Sequence, residues 1–365
     1  MARVVIDARE SGTSTGRYVD KLIENLHQLK PVLEIMVLTK TPRVDFIKQA
    51  APSFEVMESN FKEFTFSEQL GFNSQIKKLK PDLVHFTKTE QPVLYRGKVI
   101  TTIHDLTTAR ERNPAKNRLV FTVKQWVYRW VIKKVAKKSE ILITPSNFVK
   151  EDVAQYANVN PEKITVTYEA ADKIANPPEP LSQAVNRGFL LYVGRPTPHK
   201  NLQRAVDAFA IVKKDHPTLQ FILAGKFDAN YQLLKDYSDQ RIIRGLVFTD
   251  FVSEGQLRWL FEHAKVYVFP SISEGFGLPG LEAMSHGLPV AAANASCLPE
   301  VYKDGAIYFD PQNPEDIAAK ISQILDNPKL ATDLKTKGAR VAASYSWERM
   351  AKQTLEIYNR ALNAK

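Results

Sequence analysis

The sequence predicts an α/β protein of two doubly wound parallel-sheet domains, and three observations carry that reading. The chain has 365 residues, more than one hydrophobic core holds, since single cores stop growing at roughly 250–300 residues. Short apolar runs alternate with helical stretches along both halves, the pattern of parallel strands covered on both faces. Between the halves, residues 175–188, ANPPEPLSQAVNRG, hold three prolines and few large apolar side chains, and read as a linker.

The first half opens with the apolar run RVVIDA, the Gly-bearing loop GTSTGRY, and a stretch with Val19, Leu22, Ile23, Leu26 and Leu29 at helical spacing. EIMVLT, DLVHF, KVITTI and EILITP follow as strands, with helices over 116–138 and 146–157. After the linker, FLLYVG, LQFILAG, LVFTDF, VYVFP and LPVAAA are strands, separated by helices over 201–214, 229–237, 253–264 and 279–286. Residues 314–327, 329–344 and 347–363 form consecutive amphipathic helices. The expected domains are therefore 1–175 and 176–345, with a helix over 346–365 crossing back to the N-terminal domain. Ligands of such sheets bind beyond the carboxyl ends of the strands, where helix N-termini offer N–H groups to phosphate. Two such edges facing each other would make an interdomain cleft.

Hydrophobic residues make 44% of the chain and charged residues 25%, the balance of a folded soluble protein and not of a disordered tail. Cys297 stands alone, so no intrachain disulfide forms, and a reducing compartment is consistent with that. MARVVIDARE turns charged too early for a secretory signal, and no run approaches the roughly 20 apolar residues of a membrane span. The expectation is a cytoplasmic protein, soluble or peripheral at the inner membrane face.

Chemistry concentrates in residues 264–290. A strand ends at Pro270, a loop holds Glu274, Gly275, Phe276 and Gly277, and Pro279 suits the first turn of a helix that stops near Gly287. Seven residues separate Glu274 from Glu282, placing one in the loop and the other in the first helical turn. Either acid alone would read as a helix-entry charge. Together, EGFGLPGLEAM resembles the Glu, seven residues, Glu signature of retaining glycosyltransferases of family 4. That resemblance implies the GT-B fold, two Rossmann-like domains with an interdomain cleft, in which the N-terminal domain takes the acceptor and the C-terminal domain the nucleotide sugar. It implies that Glu274 binds hydroxyls of the donor sugar, that Glu282 holds the ribose, and that backbone N–H groups of Phe276, Gly277 and Leu278 serve the donor.

YVGRPTPHKN, residues 192–201, sets Arg195 and Lys200 beside a Gly turn and a helix start, without the Gly-Lys-Ser/Thr ending of a Walker loop. As isolated residues they would be surface charges; the resemblance implies that both contact the diphosphate. In the first half, Gly16 is similar to the family's loop glycine that approaches the donor phosphate. His104, after KVITTI, would by itself be a hydrogen-bonded structural residue, and the family's His-Asp segment implies a catalytic place near the sugar hydroxyls. Asp105 fixes the loop in the alternative reading. The resemblance extends through IDAR, PSNFVKEDV and LPEVYKDGAIYFDP. The chain departs from it at Glu169-Ala170, where an Asn-Gly pair is usual, and at Asp250, where glycine is usual.

The expected reaction moves a hexose of the mannose or glucose type, with GDP-mannose favoured as donor, to a glycan or lipid-linked acceptor. The alternatives are a UDP-sugar-dependent transferase, a phosphorylase or epimerase of the same fold, and a non-catalytic GT-B-fold binding protein, against which Glu274, Glu282, Arg195 and Lys200 argue. No Asp-X-Asp or His/Cys cluster has metal spacing, so the expectation is no metal and no cofactor, with Arg195 and Lys200 neutralising the leaving group. Residues 110–138 hold ten Lys+Arg and one acid, interleaved with Phe121, Trp126, Tyr128, Trp130, Val131 and Val135. Two readings of this stretch stand: a helix on an anionic membrane surface, or a core helix with a solvated basic face. No nucleic-acid reader motif accompanies the charge, and nucleic acid is not an expected partner.

Overall fold

The computed structural model describes residues 1–13, 15–63, 65–110, 118–184 and 188–364. The chain divides into two compact units. The first comprises Met1–Ala109, Thr122–Glu169 and Ser346–Lys365, and the second is chiefly Ala170–Tyr345.

In the first unit, β1 (Arg3–Asp7), β2 (Glu34–Thr39), β3 (Glu55–Glu58), β4 (Leu83–Phe86), β5 (Val99–Thr102), β6 (Ile141–Thr144) and β7 (Ile164–Val166) form one parallel sheet in the order β3-β2-β1-β4-β5-β6-β7. Successive residues Val4, Val5 and Ile6 of β1 are all buried because helices cover both faces. Helix Trp347–Asn363 belongs to this unit and packs against helix Arg17–Gln28. Its Tyr358 hydroxyl lies 2.7 Å from Nδ1 of His85 on β4, and its carbonyls at Ala361 and Ala364 accept from Lys98 Nζ.

In the second unit, β8 (Phe189–Val193), β9 (Gln220–Ala224), β10 (Leu246–Phe248), β11 (Val266–Phe269), β12 (Val290–Ala293) and β13 (Ala306–Phe309) form a parallel sheet in the order β10-β9-β8-β11-β12-β13. Strand order reverses between β1 and β4 in one sheet and between β8 and β11 in the other. These are the switch points beyond which open parallel sheets bind ligands.

Three strands escape the sequence reading, and all lie on sheet edges. β3 pairs its two glutamates with only Val56 and Met57, β7 is three residues long, and β13 is a four-residue run between charged turns. The short helices Val44–Ala50 and Asn73–Lys78 escape it too. The Pro-rich segment is docked on the second unit. Glu179 accepts from Ser253 Oγ at 2.9 Å, and Arg258 Nη1 donates to the carbonyls of Ile174, Ala175 and Asn176. Residues 185–187 of it lie outside the described residues.

The basic, aromatic stretch has one buried face and one exposed face. Helix Arg118–Lys138 buries Tyr128, Val131, Ile132, Val135 and Ala136 in the core. Trp126 is 69% exposed and Trp130 44%, one turn apart, and Lys133, Lys134 and Lys137 are exposed with them. Residues 111–117 and the Phe121 side chain lie outside the described residues. Among the described residues no helix is long and apolar enough to cross a membrane.

Candidate active site

The two motifs of the second unit meet because their strands are neighbours. β8 leads into residues 194–201 and β11 into residues 270–277, and these strands flank the switch point. Backbone and side chain then stitch the loops together. Ile272 N donates to the carbonyl of His199 at 2.8 Å. Asn201, held at φ 55°, turns its amide inward to the carbonyls of Pro270 and Pro311 at 3.2 and 2.7 Å. Lys200 is thereby presented to Glu274: Nζ and Oε1 lie 2.5 Å apart, with side-chain exposures of 19% and 12%. A charge pair this enclosed is screened far less than a surface pair.

Arg195 is exposed, and its guanidinium has no hydrogen-bond or ion-pair partner among the described residues. Such a cation is open to a ligand anion. Helix Leu278–Ser285 starts beside it in chain topology, just past Gly277 at φ 86°. A side chain at Gly277 or Gly280 would strike the Tyr302 hydroxyl, which donates to the Gly277 carbonyl. Phe276 is buried edge-on against Tyr345. The loop is thus shaped from beneath, and the N–H groups of Gly277 and Leu278 stand where a helix has no internal acceptors. Glu282 is buried and lies in the second turn of that helix, not the first as its spacing implied, because the helix begins at Leu278.

Motif reading gave no role to two residues of this loop system. Asn201, the last residue of YVGRPTPHKN, is the clamp just described. Cys297 is fully buried, and its Sγ donates to the Glu274 carbonyl at 3.3 Å; burial raises its pKa and keeps it a thiol.

In the first unit, Gly16 ends the loop after β1 at an ordinary helical φ, so torsion does not demand glycine there. Space does: an added Cβ would sit on the carbonyl oxygen of Glu10. His104 follows β5, with Nδ1 3.2 Å from Glu169 Oε1 and Nε2 3.0 Å from the Thr87 carbonyl. Asp105 Oδ1 accepts from Thr107 N at 2.7 Å and caps the next helical turn, which makes it a loop-fixing residue.

Residues 15–173 match the family model described as Glycosyltransferase Family 4, and residues 176–341 the model described as Glycosyl transferases group 1. The chain belongs to glycosyltransferase family 4. O-antigen chain mannosyltransferase B of Escherichia coli is 28% identical, over 72% of this chain and 70% of its own. Glycogen synthase of Mycobacterium tuberculosis is 26% identical, over 76% of this chain and 69% of its own. Among solved structures, sucrose-phosphate synthase from Thermosynechococcus elongatus superposes with a TM-score of 0.78 at 18% identity, covering 100% of both chains. The glycosyltransferase accordingly has the GT-B fold, with each unit a Rossmann-like sheet.

Proposed function

We propose that this enzyme is a retaining hexosyltransferase that moves mannose from GDP-mannose to a glycan or lipid-linked acceptor. The observation that carries the reading is the pair of Lys200 and Glu274 at the switch point of the second unit, with Arg195, exposed and without a partner among the described residues, on the same loop. Breaking an anomeric bond builds negative charge on the diphosphate and positive charge on the ring. Arg195, Lys200 and the N-terminus of helix Leu278–Ser285 answer the first. Glu274 accepts hydroxyls of the sugar and Glu282 accepts from the ribose, while His104 and Gly16 keep the donor-binding roles that the family resemblance gives them. Retention comes with the family resemblance, and mannose is favoured by the Escherichia coli relative. A UDP-sugar donor is the second reading.

Two cations in one loop supply the charge that a divalent metal would bring, so we propose a reaction without metal. A panel of nucleotide sugars tests donor and metal together. GDP-mannose is expected to raise the melting temperature most and to be turned over in excess EDTA. Stabilisation by UDP-glucose alone would replace the donor assignment, and turnover that chelation abolishes and Mg2+ restores would remove the metal-free mechanism.

We further propose that Trp126, Trp130, Lys133, Lys134 and Lys137 dock the enzyme on the anionic inner membrane face, where a lipid-linked acceptor resides. Indole rings suit the headgroup layer, and each lysine near an anionic surface contributes about 1 kcal/mol. Replacing the three lysines with glutamine should weaken binding to phosphatidylglycerol vesicles by on the order of 100-fold. Unchanged sedimentation with vesicles, or equal binding to uncharged phosphatidylcholine, would leave this face merely solvated.

A further inference from the structure

Glu169 departs from the family pattern, and its surroundings give it a task. It follows the edge strand β7 and is 5% exposed, so its carboxylate costs free energy unless a cation faces it. The group that faces it is His104, through Nδ1. The other ring nitrogen faces the Thr87 carbonyl. Both partners are acceptors, and a neutral imidazole has one N–H; it would turn a lone pair toward one of them. With Glu169 a carboxylate, only the imidazolium satisfies both.

The other groups around the ring leave that conclusion intact. Tyr18, from helix Arg17–Gln28, packs edge-on with its ring centroid 4.8 Å away, and burial keeps its phenol protonated. His85, on β4, is buried between the Tyr358 hydroxyl and Thr102 Oγ1, and burial, with the charge of His104, pushes it down to about 3. It is neutral. Asp105, next in sequence, adds negative field. Burial opposes charge on His104 itself, but the hydrogen bond to Glu169 and its field, then the Thr87 carbonyl and Asp105, outweigh that and raise His104 above its ordinary 6.5.

We infer that Glu169 is a positioning residue that holds His104 as a fixed imidazolium, whose Nε2–H rests on the Thr87 carbonyl and is the proton offered to a substrate hydroxyl oxygen. The inference rests on the role given above to His104 in sugar binding. The ionic bond at Nδ1 is the anchor, and the bond to a neutral carbonyl at Nε2 is the exchangeable one. His104 in this form donates hydrogen bonds and has no lone pair with which to act as a base.

The experiment follows the His104 resonances by NMR from pH 5 to 9 in the full chain labelled with 15N-histidine, assigned by comparison with His104→Gln. The pH profile of kcat is measured alongside. In the wild type the ring should titrate above 6.5, and the rate should fall as pH rises through the same value. In Glu169→Gln both midpoints should drop by about one pH unit, so that kcat falls roughly ten-fold on the alkaline side and stays near wild type at pH 5.5. Glu169→Asp, which keeps the charge, should restore most of the alkaline rate. A wild-type ring titrating at or below 6.5, one unmoved by Glu169→Gln, or a ring that moves while the rate profile does not, would each overturn the inference. The resonance is read with no donor present, so the ion pair stands or falls even where the donor assignment fails.

Discussion

Arg195→Ala should lower kcat by about 10²–10³ and leave stability within about 0.5 kcal/mol of wild type. The guanidinium is exposed and makes no bond or ion pair within the described protein, so the fold loses nothing with it. On the role proposed for it, the reaction loses a charge aimed at the leaving diphosphate. Lys200→Ala should fall as far in rate but also melt earlier, because Glu274 is 12% exposed and loses the cation that faces it. Leaving such a carboxylate unpaired costs about 1–3 kcal/mol. Urea denaturation beside steady-state rates separates the two effects. Wild-type kinetics in both variants would sink the diphosphate assignment.

Glu274→Gln and Glu282→Gln should fail in different ways. In the first, an amide keeps the shape of the loop and an acceptor for Lys200, but presents a weaker acceptor to sugar hydroxyls. Lys200 is then less neutralised, so nucleotide diphosphate affinity should hold or rise while kcat drops by on the order of 100-fold through mispositioning of the ring. In the second, the proposed ribose contact would be lost, and affinity for the nucleotide diphosphate itself should weaken by about 10- to 100-fold. Calorimetric affinities for GDP and UDP beside turnover decide the matter. Equal loss of nucleotide affinity in the two variants would refute the division of labour, and unaltered turnover in Glu274→Gln would remove it from the active site.

What the sequence revealed of all this follows burial. Strands β1, β4, β8 and β11 are legible because a strand covered on both faces is apolar over most of its length, and a run such as FLLYV is too short for a helix. Edge strands carry no such demand: β3, with glutamates at both ends, reads as a turn. The fold and the loops bearing Arg195, Lys200 and Glu274 were therefore visible, but not the contact between Lys200 and Glu274. That pair spans 74 residues and arises from sheet order, which spacing along the chain does not encode. Glu282 falls one residue further into its helix than the spacing implied, because Pro279 marks a helix start to within a residue or two and no better. Trp126 and Trp130 share a basic stretch with Tyr128, and only packing shows which aromatic faces the core. Glu169 stood out as a departure, and its partner could not be named until β5 and β7 were folded.

The fully buried Tyr358, with Met350, Ala351 and Thr354 of the same helix, completes the first unit although the whole of the second intervenes. A ribosome makes chain in order, at about 5–20 residues per second. Residues 1–169 therefore wait roughly ten seconds or more after their own synthesis before the helix that closes their sheet emerges, with His85 lacking its phenol and Lys98 its carbonyl partners. During that interval the second unit, whose main segment runs from Ala170 to Tyr345, is free to finish first. The half of the enzyme that is made first is thus the half completed last, and its exposed apolar face is the one a chaperone would meet.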